Sequence, residues 1–303
     1  MIQQAESKYY RNERRRNLYF YTGKSMDGFE NAMNMLFINN GYEEVKHLDC
    51  ISMRNCAMSN AGAMSQWFSP MTSTIESIGH ISQALGALDL FEVREIREID
   101  KGSILQPQNK PFILGPINKK RFFNKIDANF YDGNRNYVYC FSVEGKLIVH
   151  EPDGVPCVTV DEKDIENFMR GKNMLYQIFI NPNKTLKKPN RKEILQKWAS
   201  CKSIYANSPE EIANYNYSSI KDLSASNELE LKYGLQNYMI QIYKMIHMVL
   251  QGITEDKQYS KLFEKYAEEI AVISIKKEFN KLANVIKKIN ELLMQIIMEE
   301  INK

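Results

Sequence analysis

Apolar side chains recur at helical spacing through the first ninety residues of the chain. A helix is predicted over Ser25–Asn40, and Gly41 stands where a helix C-cap needs a residue with positive φ. A second helix is predicted over Cys50–Phe68, ending before Pro70, and a third over Ser73–Leu88. The apolar residues that form the stripe of the first helix are Met26, Phe29, Met33, Leu36 and Phe37.

The spacing of the apolar residues changes after residue 90. Beyond it, apolar and polar residues alternate or apolar residues form short runs, and both patterns are typical of β-strands. The predicted strands are Phe91–Ile99, Pro111–Pro116, Tyr137–Val143, Lys146–His150, Val155–Val160 and Leu175–Ile180. Glu144 and Gly145 join the third and fourth strands, and a two-residue connection with glycine is typical of a β-hairpin. A short helix is predicted over Asp161–Gly171, before the last strand.

Beyond residue 190 no strand pattern occurs, and the apolar residues recur at helical spacing. The predicted helices are Arg191–Ser203, Glu228–Gly252, Tyr259–Ile275 and Lys276–Asn302. Asn181–Asn190 holds two prolines and three lysines, a composition typical of a linker between domains. The sequence therefore predicts an α+β fold in residues 1–180, followed by a helical domain in residues 191–303.

Charge and cysteine content exclude several classes of protein. The 40 Lys and Arg residues nearly balance 37 Asp and Glu, and both signs are interspersed, so nucleic acid is not an expected partner. The N-terminus lacks the apolar segment of a signal peptide, and no apolar run approaches the ~18–20 residues of a membrane span. Five cysteines match no zinc spacing. We expect a cytoplasmic protein with reduced thiols, no metal and no membrane association.

Cys50 is the cysteine whose position most favours chemistry. It follows His47-Leu48-Asp49 at the start of the second predicted helix. A thiolate at a helix N-terminus is stabilised by backbone N–H groups and by the helix dipole, which makes Cys50 a candidate nucleophile. The alternative is that Cys50 is a small buried residue, which is the common role of a lone cysteine near a helix start.

The order of elements resembles a known family. A helix led by Cys50, an extended segment at Lys110–Ile117 and a hairpin closing on His150–Gly154 are similar to the papain-like cysteine domains related to the amino-terminal domain of butirosin biosynthesis protein H. The double-glycine leader peptidases are a more distant likeness. The resemblance covers about residues 45–180. It implies a papain-like fold, with a helix packed on an antiparallel sheet, and a cysteine that is acylated by a thioester or cleaves an amide.

The resemblance maps the nucleophile to Cys50 and the carboxylate that orients the base to Glu151. Where the family has its histidine base, this chain has Asn136. Three alternatives remain for the base. In the first, His150 is the base and Asn136 orients it. In the second, His47 folds back onto Cys50 and is the base. In the third, the domain is catalytically degenerate, and Cys50 serves at most as an acyl acceptor. General base catalysis is worth ~10²–10⁴-fold, so the choice decides whether the site is active.

The other thiols and imidazoles are predicted to be structural. Cys56 is a core residue of the same helix, or the nucleophile if the alignment slips by six residues. Cys140 and Cys157 lie in strands, and His80 and His247 lie in helical segments with apolar neighbours. No nucleotide or metal motif is present in the sequence.

The resemblance implies a cysteine-dependent acyltransferase or amide-forming enzyme of natural-product biosynthesis. An acyl or peptidyl carrier protein would deliver the acyl group on phosphopantetheine, and a small amine would accept it, with no further cofactor. A degenerate member of the fold, acting as a binding or scaffold partner, is the first alternative, and a cysteine peptidase is the second. The apolar stripe of the last predicted helix also makes a homo-oligomer an option.

Overall fold

A computed structural model gives the fold of the chain. It describes residues 28–45, 48–52, 73–106, 110–117, 136–143, 146–151, 155–160, 162–169, 174–199, 254, 257–276, 278 and 281–303. The chain divides into two compact units, each made of two separate stretches of sequence. Unit 1 comprises Met1–Lys46 with Ala87–Thr185, and unit 2 comprises His47–Gly86 with Leu186–Lys303.

The described elements of unit 1 are six strands, two α-helices and a 3-10 helix, and those of unit 2 are helices. The helices are α1 Gly28–Asn39, α2 Leu48–Ser52, α3 Thr74–Ala84, α4 Glu162–Met169, α5 Arg191–Ala199, α6 Lys257–Lys276 and α7 Leu282–Asn302. A 3-10 helix follows the first strand, at Glu98–Leu105. The strands are β1 Phe91–Arg97, β2 Phe112–Ile117, β3 Asn136–Val143, β4 Lys146–Glu151, β5 Val155–Val160 and β6 Met174–Ile180.

The described strands of unit 1 form one open antiparallel sheet. Their order across the sheet is β1-β6-β2-β3-β4-β5, so the last strand of the sequence lies between the first two. Ile178 of β6 pairs with Val93 on one side and with Ile113 on the other. The remaining neighbours, from β2 to β5, follow each other along the chain, as short hairpin connections favour.

Both faces of the sheet centre are buried, and the sequences of the central strands show why. Side chains alternate between the two faces of a sheet, so a strand covered on both faces is apolar without interruption. Phe112–Leu114 of β2 and Tyr137–Cys140 of β3 are such runs, and each of these residues is at most 2% exposed. Val138 and Cys140 join a core cluster with Ile165 and Phe168 of α4.

Helix α1 covers the other face. The ring of Phe29 lies 4.8 Å from that of Tyr137, and the ring of Phe37 lies 5.9 Å from that of Phe91, in both cases edge to face. Every residue from Phe29 to Phe37 is buried. The helices that pack on the sheet are therefore α1 and α4, and the helix that carries Cys50 belongs to unit 2.

The described helices of unit 2 pack through apolar stripes. Helix α2 packs on α3, and α7 packs on both α5 and α6. The buried apolar residues of α6 and α7 recur every three or four positions, as a core-facing helix requires. They are Phe263, Ala267, Ile270, Ile273, Val285, Ile289, Leu292, Leu293, Ile296 and Ile297.

Residues 181–190, predicted to be a linker, run from β6 to α5 without helix or strand. Their backbone is nevertheless hydrogen-bonded at both ends. The N–H of Asn181 donates to the carbonyl of Leu90 at 2.7 Å in unit 1, and the N–H of Lys187 donates to the carbonyl of Leu85 at 2.8 Å in unit 2. The segment is thus tied to the residues that follow α3.

The prediction of an α+β fold is confirmed, and the described strands lie within two residues of their predicted bounds. The last predicted helix differs more: α7 begins at Leu282 and not at Lys276, which is the last residue of α6. The third predicted helix ends early, at Ala84 instead of Leu88, because Gly86 adopts a φ of +70°. Most of the predicted helix over Cys50–Phe68 and all of Glu228–Gly252 lie outside the described residues. The two continuous domains, 1–180 and 191–303, stay a prediction.

Gly86 and Gly41 allow a matched test of the turn after α3. Both have positive φ, but an added Cβ at Gly86 would lie 2.7 Å from Cδ of Lys187, whereas at Gly41 it would meet nothing within 4 Å. We expect Gly41→Ala to cost about 1 kcal/mol of unfolding free energy through backbone strain alone. Gly86→Ala is expected to cost about 1 kcal/mol more than that, because the exposed side chain of Lys187 must leave its rotamer to make room.

Urea denaturation followed by circular dichroism measures both losses. In a Lys187→Ala background the additional cost at Gly86 should disappear, leaving the strain that both glycines share. Equal losses for Gly41→Ala and Gly86→Ala would contradict the close approach of Lys187.

Candidate functional site

The residues predicted from the sequence to form the site are distributed over both units. Cys50 is the third residue of the five-residue helix α2 in unit 2. Asn136 is the first residue of β3 and Glu151 is the last of β4, both in unit 1. For these three residues the structure describes the backbone only. Their predicted roles stay predictions.

His150 is the member of this set whose side chain is described. It is 2% exposed and lies in β4, in unit 1. Burial lowers the pKa of His150 from 6.5 to about 4, because the charged imidazolium loses its hydration. A neutral imidazole with so low a pKa is a weak proton acceptor near neutral pH.

The sheet register corrects one detail of the predicted site. The hairpin predicted from the sequence sets His150 across from Asn136, but the ladder pairs His150 with Tyr139, three residues further along β3. Asn136 pairs instead with Ile117 on the opposite neighbouring strand. The expected pair came from matching the open ends of two strands of unequal length. Val143 pairs with Lys146 across the two-residue connection, and counting back from that pair sets His150 opposite Tyr139.

Cys140 is a core residue, as predicted. Its side chain is fully buried and is not disulfide-bonded. Burial raises the pKa of the Cys140 thiol well above its ordinary value, so the thiol stays protonated and unreactive. Cys56, Cys201, His47 and His247 lie outside the described residues, and of Cys157 the structure describes the backbone in β5.

A cleft in unit 2 adjoins the helix that carries Cys50. Its volume is about 340 Å³, within the range of small-molecule sites. Helices α2, α3 and α5 and the residue before α5 supply the lining. The lining residues are Ile51, His80, Gln83, Ala84, Asn190, Glu193, Ile194, Gln196 and Lys197. Ile51 is the residue next to Cys50, so the backbone that bears the cysteine reaches the edge of this cleft.

His80 connects the cleft to α2. Its Nδ1 lies 3.3 Å from the carbonyl oxygen of Ser52, the last residue of α2, across 28 residues of sequence. A carbonyl oxygen only accepts, so Nδ1 carries the hydrogen and donates. In the neutral ring the lone pair is then on Nε2. His80 lies in a helix, as predicted, and its hydrogen bond joins it to the helix of Cys50.

The N-terminus of α3 is fixed by a capping box. Ser73 Oγ accepts from the N–H of Glu76, and the Glu76 carboxylate accepts from the N–H of Ser73 at 2.7 Å. The bond from the Ser73 backbone is the main cause that holds the pKa of Glu76 below its ordinary value, and the charge of His80 adds to it. Glu76 is therefore an anion one helical turn before His80.

The α5 side of the cleft is held in place by two further sets of hydrogen bonds. Asn190 caps α5: its Oδ1 accepts from the N–H of Lys192 at 3.0 Å and from that of Glu193 at 3.3 Å. Lys197 Nζ donates to Gln83 Oε1 of α3 at 2.9 Å. The cleft thus carries one carboxylate, one ammonium group and one imidazole, which suits a polar ligand.

From the sequence alone, His80 is predicted to be a structural histidine. Its contact with Ser52 joins two helices whose connection, residues 53–72, carries no signal of their packing. The capping box of Ser73 and Glu76 fixes where α3 begins, but no spacing in the sequence relates position 80 to position 52. Only the tertiary arrangement reveals the proximity.

Comparison with family models, with curated proteins and with solved structures finds no match to this chain. The resemblance to the papain-like cysteine domains therefore stays a prediction from the sequence. None of the helices among the described residues combines the length and apolar character that crossing a membrane requires. The described residues also contain no group of three histidine, cysteine or acidic side chains placed to hold a metal ion.

The buried His150 predicts a specific acid sensitivity of the fold. Its pKa is about 4 in the folded state and 6.5 as a free side chain, so the unfolded chain binds more protons between these values. The stability of unit 1 should therefore fall as the pH decreases from about 6.5 to about 4, by on the order of 3 kcal/mol from this residue.

His150→Gln removes the titration and keeps a polar side chain. Its unfolding free energy, from urea denaturation at a series of pH values, should depend less steeply on pH in this window than that of the wild type. A difference between the two proteins that is independent of pH would contradict the lowered pKa.

Proposed function

We propose that this chain is a cysteine-dependent acyltransferase of natural-product biosynthesis, with Cys50 as the nucleophile. The observation that carries the proposal is the cleft of about 340 Å³ at the helix of Cys50, which Ile51 and His80 line together. A thiol, an imidazole and a small polar cavity in one unit are the parts that acyl transfer requires. The identity of the acyl donor and acceptor comes from the sequence resemblance.

The reaction has two steps. In the first, the Cys50 thiolate attacks the carbonyl carbon of a carrier-protein thioester; a new C–S bond forms, the old C–S bond breaks, and the phosphopantetheine thiol leaves with a proton. In the second, a small amine attacks the acyl-cysteine; a C–N bond forms, the C–S bond breaks, and the proton of the amine passes to the cysteine sulfur. A general base accepts the thiol proton first and returns a proton to each leaving group.

A papain-like arrangement of unit 1 and a helical C-terminal domain are part of this proposal. The packing of α1 on an antiparallel sheet supports the first, and the packing of α7 on α5 and α6 supports the second. The position of Cys50 is a departure, because in a papain-like domain the helix on the sheet carries the nucleophile. Here α1 occupies that place and α2 belongs to unit 2.

A non-enzymatic binding or scaffold protein is the second candidate. Two observations favour it: the family's histidine position is Asn136, and His150, the substitute considered from the sequence, is 2% exposed. A site that depended on His150 would have its base within the core. The scaffold proposal therefore holds if no other residue activates Cys50.

Acylation by a small thioester distinguishes an acyltransferase from a scaffold protein. Incubation with an acyl thioester of N-acetylcysteamine should give an adduct on Cys50, because an activated thiol reacts ~10²-fold or more faster than one without a base. Peptide mass spectrometry resolves the five cysteines and measures each rate. Cys50→Ser should abolish the rapid phase, and an added primary amine should release the acyl group as an amide.

Cys56→Ser is the matched control, since it removes the neighbouring thiol of the alternative alignment and should leave the rapid phase unchanged. If Cys56→Ser loses the reaction and Cys50→Ser keeps it, Cys56 is the nucleophile. Equal and slow labelling of all five thiols would support the scaffold function, and cleavage of a peptide amide without condensation would support a peptidase.

A further inference from the structure

We infer that the outer edge of β1 is a self-association surface, at which two copies of the chain pair their β1 strands antiparallel about a two-fold axis at Val93. The sheet of one protomer then continues into the sheet of its partner. Among the described strands, β1 has β6 as its one neighbour. Its other edge can therefore pair its backbone N–H and C=O groups with a further strand. The inference does not depend on the proposed function.

The side chains of β1 carry charges of both signs. The strand comprises Phe91-Glu92-Val93-Arg94-Glu95-Ile96-Arg97. Charged side chains protect an edge strand from pairing when like charges meet across the new ladder, but opposite charges that meet there stabilise the pair. The register decides which residues meet, so the charge pattern favours some registers and opposes others.

Symmetry limits the registers that two copies can adopt. A two-fold axis between antiparallel strands is perpendicular to the sheet, so it places one residue opposite the same residue of the partner. An axis at Glu92, Arg94 or Glu95 sets that charge against its own copy, which is destabilising. An axis at Ile96 or at either end residue leaves at most three residues paired, because the strand ends at Arg97.

An axis at Val93 pairs the five residues from Phe91 to Glu95 without a like-charge contact. Glu92 of each protomer then lies opposite Arg94 of its partner. Within each protomer these two side chains already form an ion pair of 2.6 Å, and both are about half exposed. The guanidinium of Arg94 is also held over the ring of Phe179, at 4.7 Å. Four charges of alternating sign thus surround the axis, and two of them are prearranged in each copy.

Two exposed apolar side chains flank the strand, and the same axis brings them together. Leu88 precedes β1 and is 84% exposed, and Ile99 follows β1 and is 88% exposed. They lie at nearly equal distances in sequence from Val93. Antiparallel pairing brings the start of one strand to the end of the other, so Leu88 of each protomer approaches Ile99 of its partner. Apolar side chains that cluster on a surface in this way mark an interaction site.

A second copy fits this edge because the edge complements itself. The charges and the flanking apolar residues match their own copies under one axis, which is the property of an isologous interface. One strand pair is small beside the ~1,200–2,000 Å² of a stable interface, so we expect a dimer that dissociates in the micromolar range.

Charge reversal at two positions tests the register. Glu92→Arg sets two pairs of like positive charges across the axis, and Arg94→Glu sets two pairs of like negative charges. Each variant alone should therefore be a monomer at concentrations at which the wild type is a dimer. An equimolar mixture restores opposite charges at every pair and should form a heterodimer. Sedimentation velocity measures the mass in each sample, and circular dichroism verifies that the variants are folded.

The mixture separates the interface from an effect on folding. Loss of the Glu92–Arg94 ion pair within a strand cannot be repaired by adding another variant, whereas a contact between protomers can. Glu264→Arg is the matched control, because it makes the same change of charge at an exposed position of α6. This variant should dimerise as the wild type does.

The apolar ends of the strand give a second, independent measurement. Ile99→Ser removes one contact at each end of the paired strands and should raise the dissociation constant about tenfold. Ile275→Ser is its control, since Ile275 is 81% exposed and lies on α6. It should leave the dissociation constant unchanged.

Three results would overturn the inference. The first is a wild-type chain that stays monomeric at several hundred micromolar. The second is a dimer that persists in both charge-reversal variants, because its contact then lies elsewhere, for example at the last helix. The third is a pair of monomeric variants that remain monomers when they are mixed.

Discussion

The candidate site depends on the hydrogen bond between His80 Nδ1 and the carbonyl of Ser52. This bond links α3, a helix with a well-defined N-cap, to α2, which has only five residues. So short a helix has little stability of its own, because its first and last turns leave most backbone groups without a partner inside the helix. Its position must come from packing on α3 and from side chains such as His80. The backbone of Cys50 is held by the same contacts.

The sheet of unit 1 could be predicted in large part from the sequence. The runs at Phe112–Leu114 and Tyr137–Cys140 are apolar without interruption because both of their faces are covered, and β5 was predicted with its observed bounds. The insertion of β6 between β1 and β2 could not be predicted, since it joins strands that are far apart in the sequence. The register of β6 against β1 and β2 has no local signal for the same reason, whereas the pairing of His150 with Tyr139 follows from the two-residue connection between β3 and β4.

The site was predictable only in part, for a related reason. The sequence identified Cys50 from its local position at a helix start, which is a property of neighbouring residues. The partner of a nucleophile is set by tertiary contacts, and the contact of His80 spans 28 residues. The grouping of His47–Gly86 with the C-terminal helices has no local signal either. The candidates for the base that the sequence offers are therefore His150, in the hairpin to which the family resemblance points, and His47, which is close to Cys50 in the sequence.

A crystal structure of the protein would test the central claim most directly, through the position of the Cys50 sulfur. The account predicts a sulfur at the surface of the cleft that Ile51 and His80 line, where a thioester can reach it. A Cys50 sulfur enclosed by apolar side chains would contradict it.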